Sequence, residues 1–294
     1  MRVAVTGATG FIGRRLCAEL EAAGDTVLRI GRTPGESTAL WDPVSGAIDT
    51  AALDGVDAVV HLAGEAIGEG RWTAARKRRI HDSRSDGTEL IARTIAGLDR
   101  PPSVLLSGSA IGFYGDTGDR PVTESAPPGD GFLATVCLDW EAATAPAEEA
   151  GIRVAHLRTG IVLSPDGGAL ARQLPLFRWG LGGRSGPGRQ WQSWISLDDE
   201  VGAIRWLLDH EISGAVNLTA PEPVTNADYA STLGRALRRP TTIIPMIGPR
   251  MLLGRELADS LLLTSQRVLP GVLEAAGFPF AHASLDAALT DLLG

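Results

Sequence analysis

The chain has 294 residues, 44% hydrophobic and 21% charged, globular values that argue against disorder and supply a sizeable core. At about 150 residues per domain, this length fits one large domain or two coupled ones. A net charge of −8 argues against a nucleic-acid or membrane-surface binder, and two distant cysteines, Cys17 and Cys137, exclude a disulfide scaffold and a Cys-rich metal site.

In chain order, Val3-Ala4-Val5 is a short apolar run ending at Thr6-Gly7, the mark of a buried parallel strand. Phe11 to Ala23 has helical spacing through Ile12, Leu16 and Leu20, and stops at Gly24. Thr26–Ile30 and Ala58–Leu62 are the next strands, a long helix covers Thr73–Leu98, and Ser103–Leu106 is a fourth strand. Residues 115–131, rich in Gly, Asp and Pro, form a loop. A helix over Leu133–Ala150 leads to a fifth strand at Val154–Leu157. This alternation predicts an α/β fold: a Rossmann-type doubly wound parallel sheet over residues 1–160, joined by returning segments of the later chain. Residues 161–294 are expected to form a smaller substrate lobe. Within it, 180–189 is a glycine-rich loop, Asp199–His210 and Asn226–Leu237 are helices, and 245–294 is a mostly helical module broken at Pro270-Gly271 and Gly277. With no leader visible and no run of about 18 apolar residues, the expected location is cytoplasmic.

Gly7-Ala8-Thr9-Gly10-Phe11-Ile12-Gly13 stands between the first strand and the first helix, the context that a dinucleotide-binding loop requires. Gly7 permits the tight turn, Gly10 the approach of a pyrophosphate, and Gly13 close helix–strand packing, while the helix N-terminus presents free N–H groups and a positive dipole end. An NAD site places an acid about 20 residues on, at the end of the second strand. Here that place holds Gly31-Arg32, and the first acid beyond is Glu36. A guanidinium there suits a 2′-phosphate, so NADP(H) is the expected cofactor, with Arg14 a second candidate contact. Arg84 falls on the inward apolar line of Ile80, Ile91 and Ile95. A buried guanidinium needs an anion, either a cofactor phosphate or an internal carboxylate.

The loop residues Thr6 to Gly13, with His61-Leu62-Ala63-Gly64 and Ser107-Gly108-Ser109-Ala110, resemble the extended short-chain dehydrogenase/reductase superfamily. Further stretches resemble its atypical "epimerase family protein" subgroup: Arg71-Trp72, Ser83-Arg84, Trp140-Glu141, Leu157-Arg158-Thr159-Gly160, Gly180-Leu181-Gly182-Gly183 and Trp194-Ile195. Gln266-Arg267-Val268-Leu269-Pro270 resembles that subgroup's small C-terminal module. The resemblance implies cofactor contacts at Gly7, Thr9, Gly10, Phe11, Ile12, Gly13, Gly31, Arg32, Leu62, Ala63, Gly64, Arg84, Ser107 and Gly108, with Arg158, Thr159 and Gly160 near the nicotinamide. It also exposes a departure. The superfamily's Tyr-x-x-x-Lys pair, in which Lys assists a proton-passing phenol, would fall at Leu133 and Cys137. The chain's single lysine, Lys77, is far from either tyrosine, Tyr114 or Tyr229.

Ser109, where the superfamily places a carbonyl-orienting hydroxyl, and Tyr114, the phenol nearest to it in sequence, are the catalytic candidates. Glu65, Arg184, Arg189 and Trp194 are candidates for the wall of a pocket for a small-molecule substrate. Asp198-Asp199 reads as a helix cap, and His61 as a core histidine. The five histidines lack metal-ligand spacing, and no G-x-S-x-G elbow supports a hydrolase. Two functions stand: an oxidoreductase or epimerase-like enzyme, or a non-catalytic NADP(H)-binding sensor. A homodimer stays open.

Overall fold

A computed structural model describes residues 1–35 and 38–294. The first half runs β1 (Arg2–Thr6), α1 (Phe11–Ala22), β2 (Thr26–Gly31), β3 (Ala39–Asp42), β4 (Ala47–Ile48), α2 (Thr50–Leu53), β5 (Ala58–His61), α3 (Ala74–Ala96), β6 (Val104–Ala110), a 3-10 turn over Ile111–Tyr114, α4 (Phe132–Ala142), α5 (Ala145–Glu149) and β7 (Arg153–Thr159). The second half runs β8 (Ile161–Ser164), α6 (Gly168–Arg178), β9 (Gly183–Ser185), β10 (Trp191–Gln192), β11 (Trp194–Ser196), α7 (Leu197–Asp209), β12 (Gly214–Leu218), β13 (Val224–Thr225), α8 (Asn226–Ala236), β14 (Thr242–Ile244), α9 (Ile247–Leu253), α10 (Arg255–Leu262), α11 (Gly271–Ala275) and α12 (Leu285–Leu293).

Eight strands make the main sheet in the order β12-β7-β6-β5-β1-β2-β3-β4. All pairings are parallel except β3 with β4. The central strands are apolar on both faces: Val3, Ala4 and Val5 of β1 and Val59 and Val60 of β5 are fully buried, as a sheet covered on both sides requires. α1 and α7 bury Leu16, Leu20, Val201, Ile204 and Leu207 against one face. α3 and α5 bury Ile91, Ile95 and Ala147 against the other. Each such Leu, Ile or Val contributes about 1.5–3 kcal/mol by burial. A third core, with Leu170, Phe177, Trp194, Leu233 and Leu289, belongs to the segments after β7. Consecutive strands leave β1 in opposite directions, to β2 and to β5. Ligands of such sheets bind in the crevice at that switch point, beyond the carboxyl ends of the strands.

The fold expectation holds, with three local corrections. The segment between Arg32 and Ala58 carries β3 and β4, too short for periodicity to expose. The helix expected over Leu133–Ala150 is two, because Pro146 in the first turn of α5 has no N–H to continue a ladder. The glycine-rich loop 180–189 contains β9, which pairs in parallel with β14. No helix among the described residues is long and apolar enough to cross a membrane.

Candidate functional site

The loop from β1 to α1 is shaped by two close approaches. Gly7 has φ +67°, and a Cβ there would lie 2.9 Å from the Leu62 carbonyl. A Cβ on Gly13 would lie 2.2 Å from the Gly7 oxygen, so α1 could not start this near the strand with any other residue. Gly10 precedes α1 with no side-chain cap, which leaves the first helical N–H groups and the positive dipole end to an external anion.

A cavity of about 310 Å³ opens over this loop. Gly7, Thr9, Gly10, Gly31, Arg32, Leu62, Ala63 and Gly64 all line it. So do Arg29, Trp41 and Ser83, which sequence reasoning missed. Trp41 belongs to β3, and Arg29 stands within β2 with no motif to single it out. Arg29 is paired with Glu21 at 2.7 Å. Glu36, the first acid after Arg32, lies outside the described residues. Two guanidinium groups at the end of β2 and an uncapped helix start together fit a phosphate-bearing dinucleotide. Phe11, Ile12 and Gly13 are not on the cavity wall: Phe11 packs over Gly167 and Gly168, and Ile12 joins the core beneath the sheet. Glu65 lines this first cavity and is ion-paired with Arg76, which corrects its expected place in a substrate pocket.

A second cavity, of about 230 Å³, adjoins the first. Gly64 lines one and Arg84 the other, and a Cβ on Gly64 would lie 3.2 Å from Arg84 Cζ. Its walls carry Ile111, Leu133, Val136, Cys137, Trp140 and Trp191, with Thr159 and Gly160 at the end of β7 and Leu261 and Leu262 from α10. The C-terminal module therefore contributes directly to this cavity. Leu133 and Cys137 line it at the places expected for the missing Tyr and Lys. Burial pushes the Cys137 thiol up to about 11, so it is no thiolate nucleophile.

Among the described residues no carboxylate pairs with Arg84, which corrects the internal carboxylate expected as one of its partners. Its Nη1 donates to the carbonyls of Glu65 at 3.0 Å and Ile80 at 3.1 Å, and its guanidinium lies 4.9 Å from the centre of the Trp140 ring. Burial lowers its pKa to about 10, and it stays charged at neutral pH.

The catalytic candidates sit elsewhere. Ser109 is buried and donates to Glu141 Oε1 at 2.7 Å. Glu141 takes two bonds from Arg158, Nε to Oε1 and Nη2 to Oε2, each 2.8 Å. Arg158 Nη1 donates to the Tyr114 hydroxyl at 2.9 Å, which donates to Asn217 Oδ1 at 2.6 Å. The Arg158 guanidinium also stacks 3.4 Å over Phe113. Burial raises the Tyr114 phenol, and Arg158 only partly offsets it. This closed network corrects the expectation for Ser109, Tyr114 and Arg158: their polar atoms are satisfied internally, and none of the three lines either cavity. Ser107 and Gly108 are likewise interior. A Cβ on Gly108 would meet Trp140 at 2.8 Å, so that glycine admits the ring.

Of the remaining pocket candidates, Trp194 is 1% exposed in the third core, its Nε1 donating to the Glu222 carbonyl at 3.0 Å. Arg184 folds back onto the Pro187 carbonyl. Arg189 lines a shallow third depression beside Asp116 and Asp119. Trp191, three residues before Trp194, is the indole on the second cavity. Asp198 pairs with Arg15 at 2.8 Å, and Ser196 rather than either aspartate caps α7, accepting from the Asp199 N–H at 3.1 Å. His61 is a core histidine bonded to Thr6 at 2.8 Å, and burial depresses it to about 4.

The model of the "NAD dependent epimerase/dehydratase family" matches residues 3–219, and a domain of unknown function (DUF1731) matches residues 244–292. The chain is 49% identical over 291 residues to an epimerase family protein of Mycobacterium bovis, covering 98% of this chain and 96% of that one. The human epimerase family protein SDR39U1, solved with NADPH, aligns at a TM-score of 0.92 and 34% identity, covering 100% and 99% of the two chains. A Corynebacterium glutamicum structure described as a nucleoside-diphosphate sugar epimerase aligns at 0.81 and 39% identity, covering all of this chain and 58% of that one. With the glycine loop, the sheet order and the family match in agreement, the chain belongs to the NAD dependent epimerase/dehydratase family.

Proposed function

We propose that the protein binds NADP(H) in the first cavity and is an oxidoreductase acting on a small, uncharged, largely apolar carbonyl compound in the second. The observation that carries this reading is the second cavity's wall. Among the described residues lining it, Arg84 is the one charged side chain, and two backbone carbonyls and an indole face already engage it. A sugar nucleotide brings a diphosphate, which needs free cations or N–H groups. Leu133, Val136, Trp140 and Trp191 instead favour an apolar or aromatic ligand.

In this reading the glycine loop and the α1 N-terminus hold the pyrophosphate, and Arg32 the 2′-phosphate. When bound, the cofactor supplies or accepts a hydride at its nicotinamide. Trp140 and Leu133 exclude water from the ligand and hold it by contact.

The cofactor choice is testable directly. NADPH is expected to bind at least about tenfold more tightly than NADH, since one charge-assisted phosphate contact is worth about 1.5–3 kcal/mol and tenfold needs about 1.4. Arg32→Asp should reverse that order in fluorescence titrations. An unchanged ratio assigns the 2′-phosphate to Arg29 instead.

A second reading, a non-catalytic NADP(H) sensor, is favoured by Leu133 and Cys137 at the places of the proton-passing pair. NADPH oxidation assayed with aromatic aldehydes and quinones separates the two: tight NADPH binding with no turnover selects the sensor.

A further inference from the structure

Glu200 lies on the buried side of α7 with Leu197, Val201 and Ile204, and has no exposed surface. Thr159 Oγ1 donates to its Oε1 at 2.8 Å, and Oε2 is buried with no partner. Among the described residues no cation pairs with this carboxyl. α7 packs on α1, β6, β8 and β11, and those three strands carry no charged side chain. From α1, Arg15 and Glu19 pair with each other and with Asp198 and Arg205, Glu21 pairs with Arg29, and Arg14 is exposed. Cys17 is a buried thiol that burial pushes up. Asp199 is taken by Ser196 and the N–H groups of Ala281 and His282. Arg158, adjacent to Thr159 on β7, belongs to Glu141. A lone carboxylate in such a place is costly, so the group holds its proton: burial pushes it up to about 8.

Thr159 is half-buried and lines the second cavity. Its hydroxyl, at once donor and acceptor, is bonded to the Glu200 carboxyl, so the residue joins the buried acid to the cavity wall.

We propose that Glu200 and Thr159 form a two-step proton donor to the carbonyl oxygen of an uncharged ligand in the second cavity, in place of the missing Tyr-Lys pair. The inference rests on the oxidoreductase reading above. In the reducing direction a bound reduced nicotinamide would supply the hydride to the carbonyl carbon, leaving the C=O π pair on oxygen. That oxygen takes the Thr159 hydroxyl proton once the hydroxyl turns from Glu200 Oε1 toward the ligand, and the proton of the neutral carboxyl, carried on the oxygen 2.8 Å from Thr159, passes to Oγ1. The products are an alcohol, the oxidised cofactor and the Glu200 carboxylate, which regains a proton from water once the product leaves. Thr159 is the residue that touches the ligand; Glu200 acts through it.

The first test needs neither cofactor nor turnover. In protein labelled with carboxyl-¹³C glutamate, NMR titration should find one carboxyl changing near pH 8. It should be absent in Glu200→Gln, displaced in Thr159→Val, and perturbed by added 4-nitrobenzaldehyde. No glutamate titrating above neutral pH, or one blind to both Thr159→Val and the aldehyde, overturns the proposal. The second test follows NADPH oxidation with the same aldehyde. Glu200→Gln and Thr159→Val should each lower kcat by about 10²–10⁴-fold, the usual share of general acid catalysis, with Thr159→Ser restoring most of it. The Glu200→Gln protein should keep its NADPH Kd within about twofold. Wild-type turnover that survives Glu200→Gln overturns this proposal alone. A wild type that binds no NADPH, or binds it and leaves the aldehyde untouched, overturns the oxidoreductase reading and this proposal with it.

Discussion

Arg158→Ala is expected to destabilise the fold by about 3–5 kcal/mol, the cost of leaving a buried carboxylate without its partner. Glu141 would keep only the Ser109 hydroxyl, Tyr114 would lose a donor, and the face of Phe113 would lose its stacked guanidinium. At about 2–4 °C per kcal/mol for a chain of this size, the melting temperature should fall by roughly 6–20 °C. The paired change Glu141→Leu with Arg158→Met should recover much of the loss, because an apolar pair of similar volume needs no compensation. The acid side gives a second check. Burial alone would push the Glu141 carboxyl up, but the bonds from Arg158 and Ser109 outweigh it and hold it below its ordinary value of 4.5. Its contribution is therefore complete above pH 4.5 and is lost as pH falls through the depressed folded value. Urea denaturation from pH 3 to 7 should give a shallower acid slope for Arg158→Ala than for wild type. A loss under about 1 kcal/mol would mean that the pair is surface-like and solvated.

The contrast between Arg84 and Arg158 marks where the sequence is legible. Arg84 sits on a helix whose apolar line is readable at helical spacing, so its burial follows from the chain alone. Its partners do not, because the Glu65 carbonyl reaches it only once the turn after β5 folds over α3. Arg158 lies in a strand, and its carboxylate is on α4, 17 residues upstream. Only the stacking of α4 on the sheet joins them, and a family motif placed Arg158 at the nicotinamide instead. Tyr114 lies close to Ser109 in sequence but not in role. The 3-10 turn that follows β6 carries its ring inward, to Arg158 and Asn217. Glycine spacing behaves differently: Gly7, Gly10 and Gly13 act within one turn of chain, so the loop and the cavity above it are legible locally. Glu200 is legible in the sequence. Leu197, Val201, Ile204 and Leu207 place residue 200 on the buried side of its helix by the same spacing argument that singles out Arg84.

This buried acid makes stability depend on pH. Glu200→Gln should leave stability near that of wild type at pH 5 and raise it above wild type at pH 8, the gap growing by about 1.4 kcal/mol per pH unit between. The sign follows from proton binding. The folded carboxyl titrates at about 8 and the unfolded one at 4.5, so between these values the folded state holds a proton that the unfolded state has released. Stability from this group is therefore greatest below pH 4.5, declines as pH rises, and is fully lost above pH 8. Glutamine keeps the shape and the bond from Thr159 and never ionises, so its stability curve lacks this decline. Integrated to pH 7, the difference is on the order of 3 kcal/mol, well within reach of urea denaturation at pH 5, 6.5 and 8. Parallel curves for the two proteins would place water or an unseen cation beside Oε2. The size of this penalty bears on function as well. A fully buried acid with one hydroxyl partner weakens the fold at neutral pH, and a glutamine in its place would not. Groups held at such a cost, with a pKa near the working pH, concentrate where protons are transferred, and the hydroxyl that Glu200 touches lines the cavity in which the usual proton donor is missing.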